Sequence, residues 1–79
     1  NPSTRIRYHL AEPGPVSITI YDAQGSQVRQ VDFDQRAPGA YAWTWNGRGS
    51  TGKLQPSGVY LYEVRFGEER VAAKMLLLK

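Results

Sequence analysis

Apolar and polar residues alternate with a period of two along most of this chain. That is the pattern of strands with one face in a core and one in water. Residues 4–10 put Ile6, Tyr8 and Leu10 on one face and Arg5, Arg7 and His9 on the other. Pro13-Gly14-Pro15 interrupts the run, and residues 16–21 resume it with Val16, Ile18 and Ile20 inward and Ser17, Thr19 and Tyr21 outward. Asp22-Ala-Gln-Gly25 reads as a hairpin turn, because glycine supplies the positive φ needed at its end. A third strand is predicted over 26–33. Val28 and Val31 have opposite parity there, so a bulge near Arg29-Gln30 is expected to bring both to the core side. Residues 34–39 read as a loop. A fourth strand over 40–45 aligns Tyr41, Trp43 and Trp45, and a fifth over 59–66 aligns Tyr60, Tyr62, Val64 and Phe66. A sixth over 70–78 sets Val71, Ala73, Met75 and Leu77 against Ala72, Lys74, Leu76 and Leu78. The glycine-rich segment 46–58 separates the fourth and fifth strands, with room for a short seventh at 52–54. No segment carries a helical period.

Short antiparallel strands joined by turns, in a chain of 79 residues, predict an all-β, immunoglobulin-like two-sheet β-sandwich of six or seven strands. The length allows one domain. A chain of this size buries about 60% of the surface it exposes when unfolded, and its expected stability is about 4–12 kcal/mol. A deep catalytic cleft would take a large part of so small a core. With no cysteine, disulfides and thiolate metal sites are excluded. Ten basic residues face seven acidic ones, a net charge of +3. The arginines are scattered, which argues against nucleic acid. The longest apolar stretch, residues 75–78, is far short of the roughly 20 residues of a helical membrane span.

Several segments together carry a family resemblance. Asn1-Pro-Ser-Thr-Arg-Ile-Arg-Tyr8, Val16 to Gly25, Trp45-Asn46-Gly47 with Gly52, Ser57-Gly58-Val59-Tyr60 and the closing Lys74-Met-Leu-Leu-Leu-Lys79 resemble, in order and spacing, the C-terminal sorting domains of proteins exported by the bacterial type IX secretion system. The immunoglobulin-like domain of the flagellar hook-capping protein is similar in the same elements. The lysine-bounded terminal strand favours the sorting domain. That resemblance implies a seven-stranded sandwich at the end of a larger protein, a secreted or cell-surface location, and secretion or outer-membrane attachment machinery as partner, with the parent protein's preceding domains beside it. Asn46 stands where the family usually has aspartate, which puts in doubt a role needing charge there.

The chemistry available to the residues is sparse. Gly47 to Gly52-Lys53 has phosphate-loop spacing, but Leu54 replaces the hydroxyl residue and no helix follows. The segment is expected to be a connection. Tyr21, Tyr41, Trp43 and Trp45 raise a carbohydrate-binding accessory module as the alternative function, with a glycan as ligand. The tryptophans have core parity, which leaves Tyr21 as the better exposed ring. Asp32-Phe-Asp34 is a fragment of a calcium pattern without the remaining oxygens. The one histidine, His9, has outward parity, and no nucleophile–base–acid set is visible. A non-catalytic module without cofactor or metal is expected. Leu76 and Leu78 give the last strand an apolar outer face, so Lys74, Leu76, Leu78 and Lys79 are the expected partner-docking residues. Trp45, Gly58, Val59 and Tyr60 are the expected structural motif, Tyr60 acting as a corner tyrosine.

Overall fold

The computed structural model describes residues 3–78 and contains six strands among them. They are β1 (Thr4–Leu10), β2 (Gly14–Tyr21), β3 (Gln27–Arg36), β4 (Gly39–Trp45), β5 (Gly58–Phe66) and β6 (Glu69–Leu77). β1 and β4 form a two-stranded antiparallel sheet, and a four-stranded antiparallel sheet has the order β3-β2-β5-β6. The core between them is Ile6, Tyr8, Leu10, Val16, Ile18, Ile20, Trp45, Tyr60, Val64 and Leu77. These are the positions the alternation assigns inward. Burying each large aliphatic side chain stabilises the fold by about 1.5–3 kcal/mol.

The departures from the expected pattern have local causes. β3 runs on to Arg36, three residues past the expected end. Arg36 stays in the structure because its guanidinium carbon lies 3.9 Å from the centroid of the Phe33 ring and 4.6 Å from that of Tyr41. An arginine with two ring faces to stack on is held in place like an apolar side chain. The bulge exists but lies earlier than expected. Arg29 pairs with Ile20 and Gln27 with Tyr21, so Val28 is the inserted residue. Arg29 therefore takes inward parity and places its guanidinium 5.7 Å from the Trp43 ring. The seventh strand at 52–54 is only an isolated bridge between Arg48 and Leu54. Val71 has core parity as expected, yet it is 49% exposed, because two strands cannot roof four.

Candidate functional site

The outer face of the four-stranded sheet is assembled by register. On β5, Val59, Leu61, Glu63 and Arg65 face Leu76, Lys74, Ala72 and Arg70 of β6. On β2, Tyr21 lies beside Leu61 and Thr19 beside Glu63. The face divides into two halves. Glu63 forms ion pairs with Arg65 Nε at 3.6 Å and Arg70 Nη1 at 3.4 Å, giving a polar half. The other half is apolar: Val59 is 47% exposed, Leu76 58% and Leu78 65%, with Leu61 and Tyr21 half-buried beside them and Lys74 on the rim. Of the expected docking residues, Lys74, Leu76 and Leu78 share this outward surface. Lys79 lies outside the described residues. Val59, expected as part of the structural motif, sits directly opposite Leu76 and belongs to the patch. Parity alone reveals Leu76 and Leu78. The contributions of Val59, Leu61 and Tyr21 depend on the β2-β5-β6 register, which the sequence does not show.

Beneath one end of this face the loop 46–57 is tied down by its own polar groups. Trp45 is fully buried, and its Nε1–H donates to Arg48 O at 2.8 Å. The Tyr60 ring meets Trp45 edge-on, with centroids 5.1 Å apart, and its hydroxyl donates to Pro56 O at 2.6 Å. A corner tyrosine makes a bond of this kind, from a ring hydroxyl to a backbone carbonyl a few residues back. Burial, and secondarily the negative charge of Asp22, pushes its hydroxyl pKa up. Gly58 opens β5 directly after this tie. Asn46 Oδ1 accepts the Arg48 amide at 3.1 Å. A neutral amide does this as well as a carboxylate, so the departure at Asn46 costs the loop nothing. The amides of Gly49, Gly52 and Gln55 donate to Lys53 O, Gly49 O and Gly47 O. Those three amides are spent on the loop's own carbonyls and are not turned toward a ligand. Gly49 has a packing reason: a Cβ there would lie 2.8 Å from Gln55 Nε2 and 3.3 Å from Val28 O. The Ser50 amide donates to that same Val28 carbonyl at 3.1 Å, so the bulge in β3 is the anchor for the loop.

The aromatic residues make no flat exposed platform. Trp45 is sealed in the core, and Trp43 is half-buried under Arg29. Tyr41 stacks on Tyr8 at 5.5 Å and donates its hydroxyl to Ala37 O at 2.6 Å. Burial raises the Tyr8 pKa, opposed by Arg36 and reinforced by Tyr41. Asp22 Oδ1 accepts the amides of Gln24 and Ser26, which closes the β2–β3 turn with Gly25 at φ 89°. Among the described residues no group of three or more His, Cys, Asp or Glu gathers as a metal site.

Fold and loop define an immunoglobulin-like sandwich whose buried aromatics pack the core and tie down the loop, and whose outer sheet face carries an apolar patch. The model of the FlgD Ig-like domain family matches residues 2–68, and the chain belongs to that family. It is 36% identical over 45 residues to the basal-body rod modification protein FlgD of Escherichia coli (strain K12), covering 57% of this chain and 20% of that protein. The chain thus spans about a fifth of that curated relative. The crystal structure of FlgD from P. aeruginosa superposes with a TM-score of 0.75 at 22% identity, covering 95% of this chain and 59% of that one. FlgD from Xanthomonas campestris, described in terms of hook capping essential for flagellar assembly, superposes with a TM-score of 0.75 at 25% identity, covering 96% and 54%.

This family membership corrects the favoured sequence reading. The chain is not a type IX sorting and attachment domain, and the expectations of secretion or outer-membrane attachment machinery as partner and of a secreted, surface-attached location fall with it. The carbohydrate-binding alternative falls too, and the glycan with it. The physical reason for the misassignment is visible. Ile6, Tyr8, Trp45 and Tyr60 are core residues of the sandwich, and Asn46 and Gly47 serve the loop. Such residues report the sandwich and not the role it serves. The segment used to choose between them, residues 74–79, lies beyond the matched residues 2–68.

Proposed function

We propose that this domain is a non-catalytic assembly module of a hook-capping protein and that it works by presenting a protein-binding face within the growing flagellar axis. The observation that carries this reading is membership of the FlgD Ig-like domain family over residues 2–68. The relative from E. coli is named for basal-body rod modification and that from X. campestris for hook capping. The contact face is the apolar half of the outer sheet, centred on Leu76 and Val59 with Leu78 and Lys74 at its rim. Exposed side chains of this size, clustered on one rigid sheet, are a binding surface in the ordinary sense. The polar half bearing the Glu63 ion pairs marks its border. The Trp45–Tyr60 corner keeps the start of β5, and so Val59, in fixed position against Leu76.

The test is a chimera. Residues 1–79 replace the corresponding Ig-like segment of E. coli FlgD in cells lacking that protein, and hooks are counted by electron microscopy. The intact chimera is expected to restore hooks, and the Leu76→Asp/Leu78→Asp chimera to abolish them at equal protein level. An intact chimera that is stable but builds no hooks contradicts the assembly role. Full hook numbers with both aspartates contradict the contact face alone.

A further inference from the structure

Positive and negative charges are unevenly placed on this sandwich. β1 and β4, which make up the small sheet, contain no aspartate or glutamate. The register sets the outer face of that sheet. Arg5, Arg7 and His9 of β1 stand opposite Thr44, Ala42 and Ala40 of β4, and all six are exposed. Successive outward side chains on a strand lie about 6.6–6.8 Å apart, two residues' rise. The face is therefore a row of long basic side chains on one strand beside methyl-sized ones on the next. That makes a raised bank next to a low floor.

Two more cations reach β4 from the opposing sheet. The guanidinium carbon of Arg36 lies 4.6 Å from the Tyr41 ring centroid, and that of Arg29 lies 5.7 Å from the Trp43 ring. Tyr41 sits in sequence between Ala40 and Ala42, and Trp43 between Ala42 and Thr44. Arg36 is thus at the level of His9 and Arg7, and Arg29 at the level of Arg7 and Arg5. The rings hold these guanidiniums in place without neutralising them. Among the described residues none of the four arginines belongs to an ion pair, and Arg36 Nε is buried with no hydrogen-bond partner. Arg65 and Arg70, on the outer face of the large sheet, are by contrast paired with Glu63. Four positive charges border β4 with no countercharge, an arrangement that repels itself until an anion joins it.

We infer that the outer face of the small sheet is a docking surface for a separate protein, which meets it with a run of aspartates and glutamates. The acidic run lies on the Ala40–Ala42–Thr44 floor. Its carboxylates reach Arg5 and Arg7 on one side and draw on the field of Arg29 and Arg36 from the other. Complementarity of charge selects this occupant. A lipid surface does not suit the face, because the rings of β4 point inward and the floor offers only methyl groups to enter an interface. A second copy does not suit it either. The only adjacent acids in the chain, Glu68 and Glu69, sit at the β5–β6 turn, and Glu63 is already engaged. This surface lies on the opposite sheet from the apolar patch and stands without the hook-cap reading.

The experiment titrates the isotope-labelled 79-residue chain with a capped oligoglutamate of about eight residues, long enough to span β4. Saturable shifts are expected at the Ala40 and Ala42 methyls and at the Arg5 and Arg7 Nε–H groups, with the Leu76 methyls and the Arg65 Nε–H unmoved. Binding should weaken as salt is raised, and an oligolysine of equal length should give no shift. Arg5→Glu/Arg7→Glu, at exposed positions, should weaken binding about tenfold or more. Arg65→Glu/Arg70→Glu makes the same change in net charge on the other sheet and should cost no more than about twofold. Ala42→Gln keeps every charge but fills the floor, and should weaken binding several-fold. Several results would overturn the proposal. They are equal losses in the two charge-reversed variants, unchanged affinity in Ala42→Gln, shifts centred on Arg65 and Arg70, or no saturable shift. Tighter binding to anionic phosphatidylglycerol vesicles than to the peptide, or self-association of the chain through this face in sedimentation, would do so too.

Discussion

Removing one oxygen from Tyr60 tests the corner that fixes the loop to the sheet. Tyr60 is buried, its ring sits 5.1 Å from Trp45, and its hydroxyl gives the 2.6 Å bond to Pro56 O. Tyr60→Phe keeps the ring and deletes the donor, leaving the Pro56 carbonyl short of that bond. A typical intramolecular hydrogen bond contributes about 0.5–1.5 kcal/mol, and a partner left unsatisfied in a buried place costs about 1–3 kcal/mol. The corner is part-buried, so a loss of about 1–2 kcal/mol is expected. In a domain of this size each kcal/mol moves Tm by about 4–8 °C, so the fall should be roughly 5–15 °C. Urea unfolding followed by tryptophan fluorescence measures it, with an unchanged m-value confirming that the native state keeps its compactness. Tyr41→Phe is the matched control. It deletes a hydroxyl bond of the same 2.6 Å length, also to a carbonyl four residues back, at an exposed place, and should cost less than about 1 kcal/mol. Equal losses in the two variants, or no loss in Tyr60→Phe, would refute the argument that the buried corner holds the loop.

Three further outcomes follow from the same structure. Gly49→Ala should destabilise by about 1–3 kcal/mol through overpacking, and adding Gln55→Ala should restore only part of it. The side-chain clash at 2.8 Å is then relieved while the Val28 carbonyl stays at 3.3 Å; thermal melts of the single and double variants decide this. Asn46→Asp should leave stability within about 0.5 kcal/mol, whereas Asn46→Ala should cost about 1 kcal/mol, because the Arg48 amide needs an acceptor rather than a charge. Burial raises the pKa of Tyr8 and Tyr60 above that of the unfolded chain. Their contribution is therefore complete below about pH 10 and is lost as pH rises through the folded values. The urea midpoint should hold across neutral pH and fall in strong alkali, and Tyr60→Phe should remove part of that alkaline fall.

Strand existence and facing were legible from the sequence because one face of every strand meets a core. Ile6, Tyr8, Leu10, Val16, Ile18, Ile20, Trp45 and Val64 announce themselves by parity alone. Pairing was not legible. Nothing in the alternation of β5 and β6 tells that Val59 will face Leu76 or that Leu61 will face Lys74, so the patch was visible only as two outward leucines. β3 was misread for a different reason. An arginine at the end of a strand reads as solvent-facing, and only the tertiary placement of Phe33 and Tyr41 turns Arg36 into a packed residue. The bulge at Val28 is set by the loop it anchors, some twenty residues away in sequence. The family assignment failed where fold-determined residues were asked to report a role. Core aromatics and turn glycines specify a sandwich, and one sandwich serves several kinds of protein.

The contact face can be tested in place. A photoreactive phenylalanine analogue at position 76 of the chimeric FlgD, irradiated while hooks are assembling, reports what touches that surface. The account predicts a covalent adduct with a protein of the flagellar axis, absent when the analogue sits at position 65 in the polar half. Adducts at 65 and none at 76, or no adduct from 76 in cells that are building hooks, would contradict it.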